Sequence, residues 1–216
     1  MQVTRLLAVR HGETLWNADG RLQGHLDIPL NDQGLWQAER TGAALADEPI
    51  GAIYSSDLQR AWQTAQAIAQ AQPQPVVVQA DERLRERAFG EFQGRLFTEI
   101  EAERPEDARR WRQRDPDFAP AGGGESLVQF RERVITAATE LAARHPGTLV
   151  LLVAHGGVMD LLYRAATSQE LQAPRTWELR NAAINRLLWT PQGFSLVGWN
   201  DSAHLQQSQV LDESTT

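Results

Sequence analysis

Polar side chains able to move a phosphoryl group follow four apolar runs of the sequence. Arg10 and His11 come directly after the first run, Arg60 follows the second, Glu86 the third and His155 the fourth. A neutral imidazole can attack phosphorus, guanidinium groups can hold phosphate oxygens in bidentate geometry, and a carboxylic acid can protonate the leaving alcohol. Together these side-chain types suffice for phosphoryl transfer without a metal.

The composition of the chain excludes several classes of catalytic mechanism and of binding partner. The 216 residues include no lysine and no cysteine, which excludes Schiff-base chemistry, a P-loop lysine, thiolate catalysis and disulfides. The formal net charge of −7 and the lack of a basic run argue against nucleic acid and anionic membranes, which leaves a small-molecule substrate. No apolar segment is long enough for a signal-peptide core or a membrane span, so we expect a cytoplasmic protein.

The apolar runs predict the strands of an α/β domain. Continuous apolar stretches at 6–9, 52–54, 76–78 and 148–154 are typical of strands covered on both faces. Three helical faces lie between them: Leu35, Ala38, Gly42 and Leu45; Leu58, Ala61, Trp62, Ala65 and Ile68; Leu127, Phe130, Val134, Ala137 and Leu141. This alternation indicates a three-layer α/β/α fold with a mostly parallel central sheet, which a carboxy-terminal hairpin over 184–199 extends.

The chain length favours a single domain, which we place at 1–203. Residues 95–124 differ from the rest because they mix charges, aromatic residues, prolines and three successive glycines. We interpret this segment as a helical insertion over the domain and call it the lid. Residues 204–216 are polar and predict a frayed tail.

The predicted sheet brings the reactive side chains together, because ligands of open α/β sheets bind at the carboxyl ends of the strands. Two histidines, two arginines and one carboxylate would converge on one edge. No pair of histidines has the spacing of metal ligands on a helix, so we expect neither a metal nor a cofactor. An exposed edge strand would suit a homodimer.

Six motifs occur in the order found in the histidine phosphatase superfamily, in its phosphoglycerate mutase-like branch. They are "RHGETLWN", "GHLDIPLNDQG", "SSDLQRAWQTA", "LRERAFGEFQG", "GGGES" and "AHGGV", and the resemblance spans about residues 4–200. Several motifs in order are far more specific than any one of them. The superfamily's other large branch follows its second histidine with an aspartate, whereas Gly156 follows His155 here.

The resemblance implies a role for each matching residue. His11 would be the nucleophile that becomes phosphohistidine, His155 would stabilise charge on the transferred group, and Glu86 would protonate the leaving oxygen and then activate water. Three side chains would bind phosphate: Arg10, Asn17 and Arg60. The loop residues Gln23 and Gly24 would contribute further phosphate contacts.

Alternatives remain for some of these residues. Glu13, two residues from His11, is a competing acid, and the charged residues around Glu86 are also typical of a solvated face. A turn before a helix explains His25 and Asp27 as well as a place in the site does. His145 and His204 receive no role, and the seven tryptophans are interpreted as packing residues.

The superfamily contains phosphatases and mutases, and the mutases protect the phosphohistidine from water. Where the cofactor-dependent mutases carry a tyrosine and a lysine, this chain has Phe89 and Phe97. A metal-independent phosphomonoesterase acting on a small phosphorylated metabolite is therefore favoured, with a phosphoglycerate mutase and a non-catalytic binding protein as alternatives. Five lid residues are candidate selectors of the substrate: Phe97, Trp111, Arg112, Arg114 and Phe118.

Overall fold

The computed structural model describes residues 2–206. Its strands are β1 (Thr4–Arg10), β2 (Ile50–Ser55), β3 (Val78–Ala80), β4 (Leu149–Ala154), β5 (Ile184–Thr190) and β6 (Gly193–Asp201). Its helices are α1 (Leu15–Asp19), α2 (Asp32–Ala44), α3 (Gln59–Gln70), α4 (Phe97–Glu103), α5 (Pro105–Arg112), α6 (Leu127–Ala143) and α7 (Gly156–Thr167). Short 3-10 turns lie at Glu82–Leu84, Gly90–Phe92 and Ala203–Leu205.

The strands form one sheet in the order β3-β2-β4-β1-β5-β6. Strands β3, β2, β4 and β1 are parallel, and the hairpin of β5 and β6 adds antiparallel pairings beside β1. The predicted three-layer, mostly parallel fold is therefore confirmed. Strands β3 and β6 are the edges, and the homodimer stays a prediction.

Side chains alternate between two cores along the central strands, because successive residues of a strand point to opposite faces. Leu6 and Ala8 of β1 pack with α6 and α7, whereas Leu7 and Val9 pack with α3 and the end of α2. The strand β4 is buried along its whole length. Helices on both faces thus hold the carboxyl ends of β1 and β4 rigidly side by side.

Three details differ from the predictions. The strand β3 begins at Val78, and Val77 is 77% exposed, so the apolar run 76–78 mostly precedes the strand. The helix α7 was not predicted, because two glycines in its first turn are poor helix formers. Leu35 is exposed rather than in the core, since Gly34 packs against the backbone of Glu13 and turns α2 accordingly.

The lid contains α4 and α5, as the prediction of a helical insertion requires. Its residues Ile100, Ala108 and Phe118 are buried in one apolar cluster with Phe92, which precedes the lid. Trp111 packs edge-on against Phe92 in the same cluster. The lid is thus held by local apolar packing beside the two cores of the sheet.

The carboxy-terminal segment was predicted to fray from about residue 203. Residues 203–205 instead form a 3-10 turn, and the His204 ring hydrogen-bonds to Thr41 and to the Ala182 carbonyl. The remainder of the predicted tail, residues 207–216, lies outside the described residues. Over residues 2–206, no helix combines the length and apolarity needed to cross a membrane.

Candidate active site

The carboxyl ends of β1, β2 and β4 lie side by side and carry the first candidate residues. Arg10 pairs in register with Ala154, and the His11 amide donates to the Ala154 carbonyl at 2.9 Å. The Ser56 amide donates to the Val153 carbonyl at 3.0 Å, which ties β2 to the same edge. The backbone therefore places His11 and the residue after β4, His155, next to each other.

The ring of His11 is buried and its tautomer follows from its contacts. Its Nδ1 lies 2.6 Å from the Gly12 carbonyl oxygen, which can only accept, so Nδ1 carries the proton. The Nε2 lone pair is then free to act as a nucleophile. Burial, and next the guanidinium groups of Arg60 and Arg10, hold the pKa of His11 well below its usual range. The imidazole is consequently neutral at physiological pH.

His155 stands at the N-cap of α7 with its ring 5.2 Å from that of His11. The side chain is fully buried, and within residues 2–206 neither ring nitrogen has a hydrogen-bond partner. Burial and the charge of Arg60 lower the pKa of His155 well below its usual range. Two ring nitrogens without partners are uncommon at a buried site, because buried polar atoms ordinarily have partners.

Arg60 is fully buried at the start of α3 and has no carboxylate partner among the ion pairs of residues 2–206. Its two terminal nitrogens donate to the carbonyls of Leu26 and Gly24, both at 2.8 Å, while Nε has no partner in the described chain. Burial lowers the pKa of Arg60 to about 10. The group remains a cation near neutral pH, and an anion at this site would offset the cost of burying it.

Arg10 is the second cation at the sheet edge. Its terminal nitrogen donates to the Leu179 carbonyl, and its Nε is buried without a partner in residues 2–206. Gly156 lies beside it, and a β-carbon there would be 3.4 Å from Nε, an ordinary van der Waals contact. We call Arg10, His11, Arg60 and His155 the cradle.

Glu86 approaches the cradle from the loop after β3. One carboxylate oxygen accepts from the Gly157 amide at 2.9 Å and the other from the Arg87 amide at 2.9 Å. A β-carbon on Gly157 would stand 2.1 Å from the Glu86 carboxylate, so only glycine allows this approach. The amino end of α7 thus orients the carboxyl group.

The remaining predicted phosphate ligands are Asn17, Gln23 and Gly24, and all three line the same cavity as Arg10, His11 and Arg60. The Asn17 oxygen accepts from Thr14 and Asn181, which leaves its amide NH2 for an anion. Gln23 is buried, and its Oε1 has no partner within residues 2–206. Gly24 has a φ of +55° and its carbonyl accepts from Arg60, so it orients a guanidinium group.

A cavity of about 1110 Å³ opens over these residues. Seven of the eight predicted site residues line it: Arg10, His11, Asn17, Gln23, Gly24, Arg60 and Glu86. His155 does not line the cavity and is buried beside His11. Eight arginines and three carboxylates face the cavity, although the chain as a whole has a net charge of −7. Such a lining attracts an anionic ligand.

The alternative residues lie elsewhere. The Glu13 carboxylate accepts from Asn31 at 2.8 Å and serves the turn before α2. Asp27 accepts from the Gln59 amide at 2.7 Å at the start of α3. The His25 ring lies 2.8 Å from the Glu86 carbonyl and therefore supports the loop that carries Glu86. His145 bonds to Tyr54 at 2.8 Å, and neither residue lines the cavity.

Four of the five lid candidates line the cavity, namely Phe97, Trp111, Arg112 and Arg114. Phe118 does not, because it is buried in the apolar cluster of the lid. Within residues 2–206, no three histidine, aspartate or glutamate side chains gather so that they could hold a metal ion.

Several residues of the cavity were not predicted from the sequence. Arg87 is 6% exposed, donates to the carbonyls of Glu125 and Phe118, and lies over the Trp111 ring at 4.6 Å. Arg87 belongs to the charged segment around Glu86, and such a segment is typical of a solvated face. Asp160 lies five residues after His155 on the helix that was not predicted, and Trp177 belongs to a loop with no motif of its own.

Comparison with known proteins adds a family to this geometry. The model of the histidine phosphatase superfamily (branch 1) matches residues 6–202. The chain is 38% identical over 208 residues to phosphoglycerate mutase-like protein 4 of Arabidopsis thaliana, covering 95% of this chain and 89% of that protein. It is 38% identical over 212 residues to a metal-independent phosphoserine phosphatase of Arabidopsis thaliana, covering 97% and 87%. The structure of Bacillus stearothermophilus YhfR superposes with a TM-score of 0.87 at 30% identity, covering 94% and 100%.

Proposed function

The chain belongs to the histidine phosphatase superfamily (branch 1), and on that basis we propose that it is a metal-independent phosphomonoesterase that acts on a small phosphorylated metabolite through a phosphohistidine. One observation carries the proposal: the neutral, buried His11 has its Nε2 free beside two guanidinium groups. This arrangement supports nucleophilic attack on a bound phosphate.

In the first step, the phosphate of the substrate binds between Arg10 and Arg60, with the Asn17 amide as a further donor. The Nε2 lone pair of His11 attacks phosphorus, so a P–N bond forms as the P–O bond to the leaving alcohol breaks. The proton of the Glu86 carboxyl group passes to the leaving oxygen. The buried guanidinium groups stabilise the charge on the equatorial oxygens of the transition state.

In the second step, a water molecule attacks the phosphohistidine. Glu86, now a carboxylate, takes a proton from this water while its oxygen bonds to phosphorus. The P–N bond breaks, inorganic phosphate leaves, and His11 returns to the neutral imidazole. Its Nδ1–H keeps its bond to the Gly12 carbonyl throughout, so the ring does not need to turn.

The test is phosphate release from p-nitrophenyl phosphate in excess chelator. We expect turnover by the unmodified protein and a loss of at least about 1000-fold in the His11→Ala variant, because the nucleophile is gone. His204→Ala is the matched control, since that histidine bonds to α2 outside the cavity, and it should retain turnover. Rapid acid-free quenching with labelled substrate should trap acid-labile phosphate on His11.

Full turnover by the His11→Ala variant would contradict the mechanism. The choice of phosphatase over mutase has a separate test, in which 3-phosphoglycerate is incubated with and without 2,3-bisphosphoglycerate. We expect free phosphate to accumulate, because Phe89 and Phe97 stand where the cofactor-dependent mutases carry a tyrosine and a lysine. Rapid interconversion of phosphoglycerates with little free phosphate would show a mutase instead.

A further inference from the structure

One wall of the cavity carries two buried polar atoms that the proposed reaction does not use. They are the Oδ1 atom of Asp160 on α7 and the Nε1 atom of Trp177 on the loop after α7. Both residues line the cavity, and within residues 2–206 neither atom has a hydrogen-bond partner. Buried acceptors and donors without partners are costly, so a native site ordinarily supplies them with a ligand or water.

Asp160 is fixed by its other carboxylate oxygen. Oδ2 accepts from Arg114 of the lid at 2.8 Å and from Arg164 of α7 at 2.9 Å. The residue is 5% exposed, and the two guanidinium groups leave Oδ1 as an oriented acceptor. The backbone of Arg114, which donates to Asp160, has a φ of +53°. This conformation is uncommon for residues other than glycine.

Trp177 is fixed beside it. Its ring stacks on Tyr163 with centroids 4.0 Å apart, and the Arg164 guanidinium lies 4.8 Å from the ring centroid. Arg164 therefore touches both Asp160 and Trp177, so the two side chains are neighbours in the cavity lining. We call Asp160 and Trp177 the hydroxyl subsite.

We propose that the hydroxyl subsite binds a hydroxyl group of the leaving alcohol, so that the favoured substrates are phosphate monoesters of polyols. This proposal rests on the proposed phosphatase function and names its substrate class. A hydroxyl group donates to Asp160 and accepts from Trp177 at once. An ammonium group can only donate, and a carboxylate can only accept and would meet the Asp160 carboxylate.

The local charge also selects against an ammonium group. Two guanidinium groups share one carboxylate at Asp160, so the wall has an excess positive charge before any ligand arrives. Arg175, also on the loop after α7, adds another cation to the cavity lining. A substrate with a cationic leaving group would be repelled, whereas a neutral hydroxyl group would not.

Three small esters test this class: glycerol 1-phosphate with hydroxyl groups, O-phosphoethanolamine with an ammonium group, and propyl phosphate with neither. We expect kcat/KM for glycerol 1-phosphate to exceed that for each of the others by about tenfold, the effect of one good hydrogen bond. A greater kcat/KM for O-phosphoethanolamine than for glycerol 1-phosphate would overturn the proposal.

The Trp177→Phe variant removes the Nε1 donor and keeps the ring against Tyr163. We expect the ratio of kcat/KM for glycerol 1-phosphate to that for propyl phosphate to fall about fivefold. Trp199→Phe is the matched control, because its ring also contacts Tyr163 while its N–H already donates to the Glu178 carbonyl at 3.0 Å. The control should leave the ratio unchanged.

The outcomes separate the two proposals. In one outcome, propyl and p-nitrophenyl phosphates are hydrolysed through His11, but Trp177→Phe leaves the ratio of kcat/KM for glycerol 1-phosphate to that for propyl phosphate unchanged. Water alone then occupies the space beside Asp160 and Trp177, and the proposal of a hydroxyl subsite is wrong. The phosphatase function stands in that case. If no ester is hydrolysed by the folded protein, the phosphatase function fails first.

Discussion

The cradle and the lid hold their arginines in opposite ways. Arg60 of the cradle is fully buried and donates to two backbone carbonyls. Arg112 of the lid has a side chain that is 57% exposed, and it pairs with Glu101, which is 43% exposed. Within residues 2–206, Arg60 is thus a buried cation without an ion pair, whereas the lid residue Arg112 pairs with its carboxylate in solvent.

This difference matches the roles that we propose, in which the cradle performs the reaction and the lid selects the substrate. Exposed ion pairs contribute about 0–1 kcal/mol each, so the lid can exchange them at little cost in stability. Burying a guanidinium group without a counter-ion costs free energy of desolvation, and the binding of an anionic substrate would offset that cost. We therefore expect changes in the cradle to reduce turnover and changes in the lid to alter substrate preference.

The largest expected effect is that of Arg60→Lys. Lysine keeps the charge but cannot reach both carbonyls and the phosphate in a planar, bidentate arrangement. We expect kcat/KM for p-nitrophenyl phosphate to fall about 100-fold, as for loss of one transition-state donor. Arg109→Lys is the matched control, because Arg109 pairs with Glu106 on the exposed face of α5. Equal losses of kcat/KM in Arg60→Lys and Arg109→Lys would contradict the proposed difference between the cradle and the lid.

Gly157→Ala should have the next largest effect. The new β-carbon would lie 2.1 Å from the Glu86 carboxylate and 2.9 Å from the Phe130 ring, so the carboxyl group must move. We expect kcat to fall about 30-fold, because displacing a catalytic group by an ångström has effects of this order. Gly156→Ala meets its nearest atom at 3.4 Å and should lose less. A greater loss for Gly156→Ala would contradict this assignment.

A change in the lid should act on binding. Trp111 lines the cavity and packs edge-on against Phe89, with ring centroids 5.2 Å apart. We expect Trp111→Leu to raise KM about fivefold while kcat changes less than about twofold, because uniform binding is lost and the cradle is intact. Steady-state kinetics with thermal melting as the folding control measures this. A fall in kcat with KM unchanged would place Trp111 among the reacting groups.

The smallest effect concerns the dependence of stability on pH. The lowered pKa values of His11 and His155 mean that the unfolded chain binds protons which the folded chain does not. The free energy of unfolding should therefore fall by on the order of 1 kcal/mol as the pH decreases below about 6.5. Arg110 lowers the pKa of Asp115, a carboxylate of the lid. Such carboxylates lose their contribution to the free energy of unfolding only below about pH 4.

Urea unfolding at about pH 7.5 and about pH 5.5 measures this difference. The His155→Gln variant should show a weaker dependence on pH, because one of the two buried rings is then absent. A free energy of unfolding that rises as the pH falls over this interval would contradict the assignment of neutral imidazoles in the folded protein.

The sequence predicted the fold well, because the evidence for it is local. Continuous apolar runs gave β1, β2 and β4, and helical spacing gave α2, α3 and α6. The helix α7 was missed, since Gly156 and Gly157 are poor helix formers. The need for Gly157 is tertiary, because a β-carbon there would lie 2.1 Å from the Glu86 carboxylate.

The site was predictable where a residue follows a strand directly. Arg10 and His11 continue β1, and the edge of a parallel sheet brings such residues together. Arg87 was interpreted as part of a solvated charge run, and only the path of its loop turns it toward Trp111. No motif in the sequence links Asp160 to Trp177. The two residues are brought together in the fold, where both contact Arg164.

The family, the fold class and the side-chain types available for phosphoryl transfer follow from the sequence. They depend on motifs, apolar patterning and composition, which are properties of short segments. Packing fixed three further properties of residues 2–206: His11 is neutral, Arg60 is buried without an ion pair, and Asp160 and Trp177 each have a buried polar atom without a hydrogen-bond partner. Burial and hydrogen-bond partners depend on segments distant in the chain, so packing sets the charge states and the contacts within the cavity.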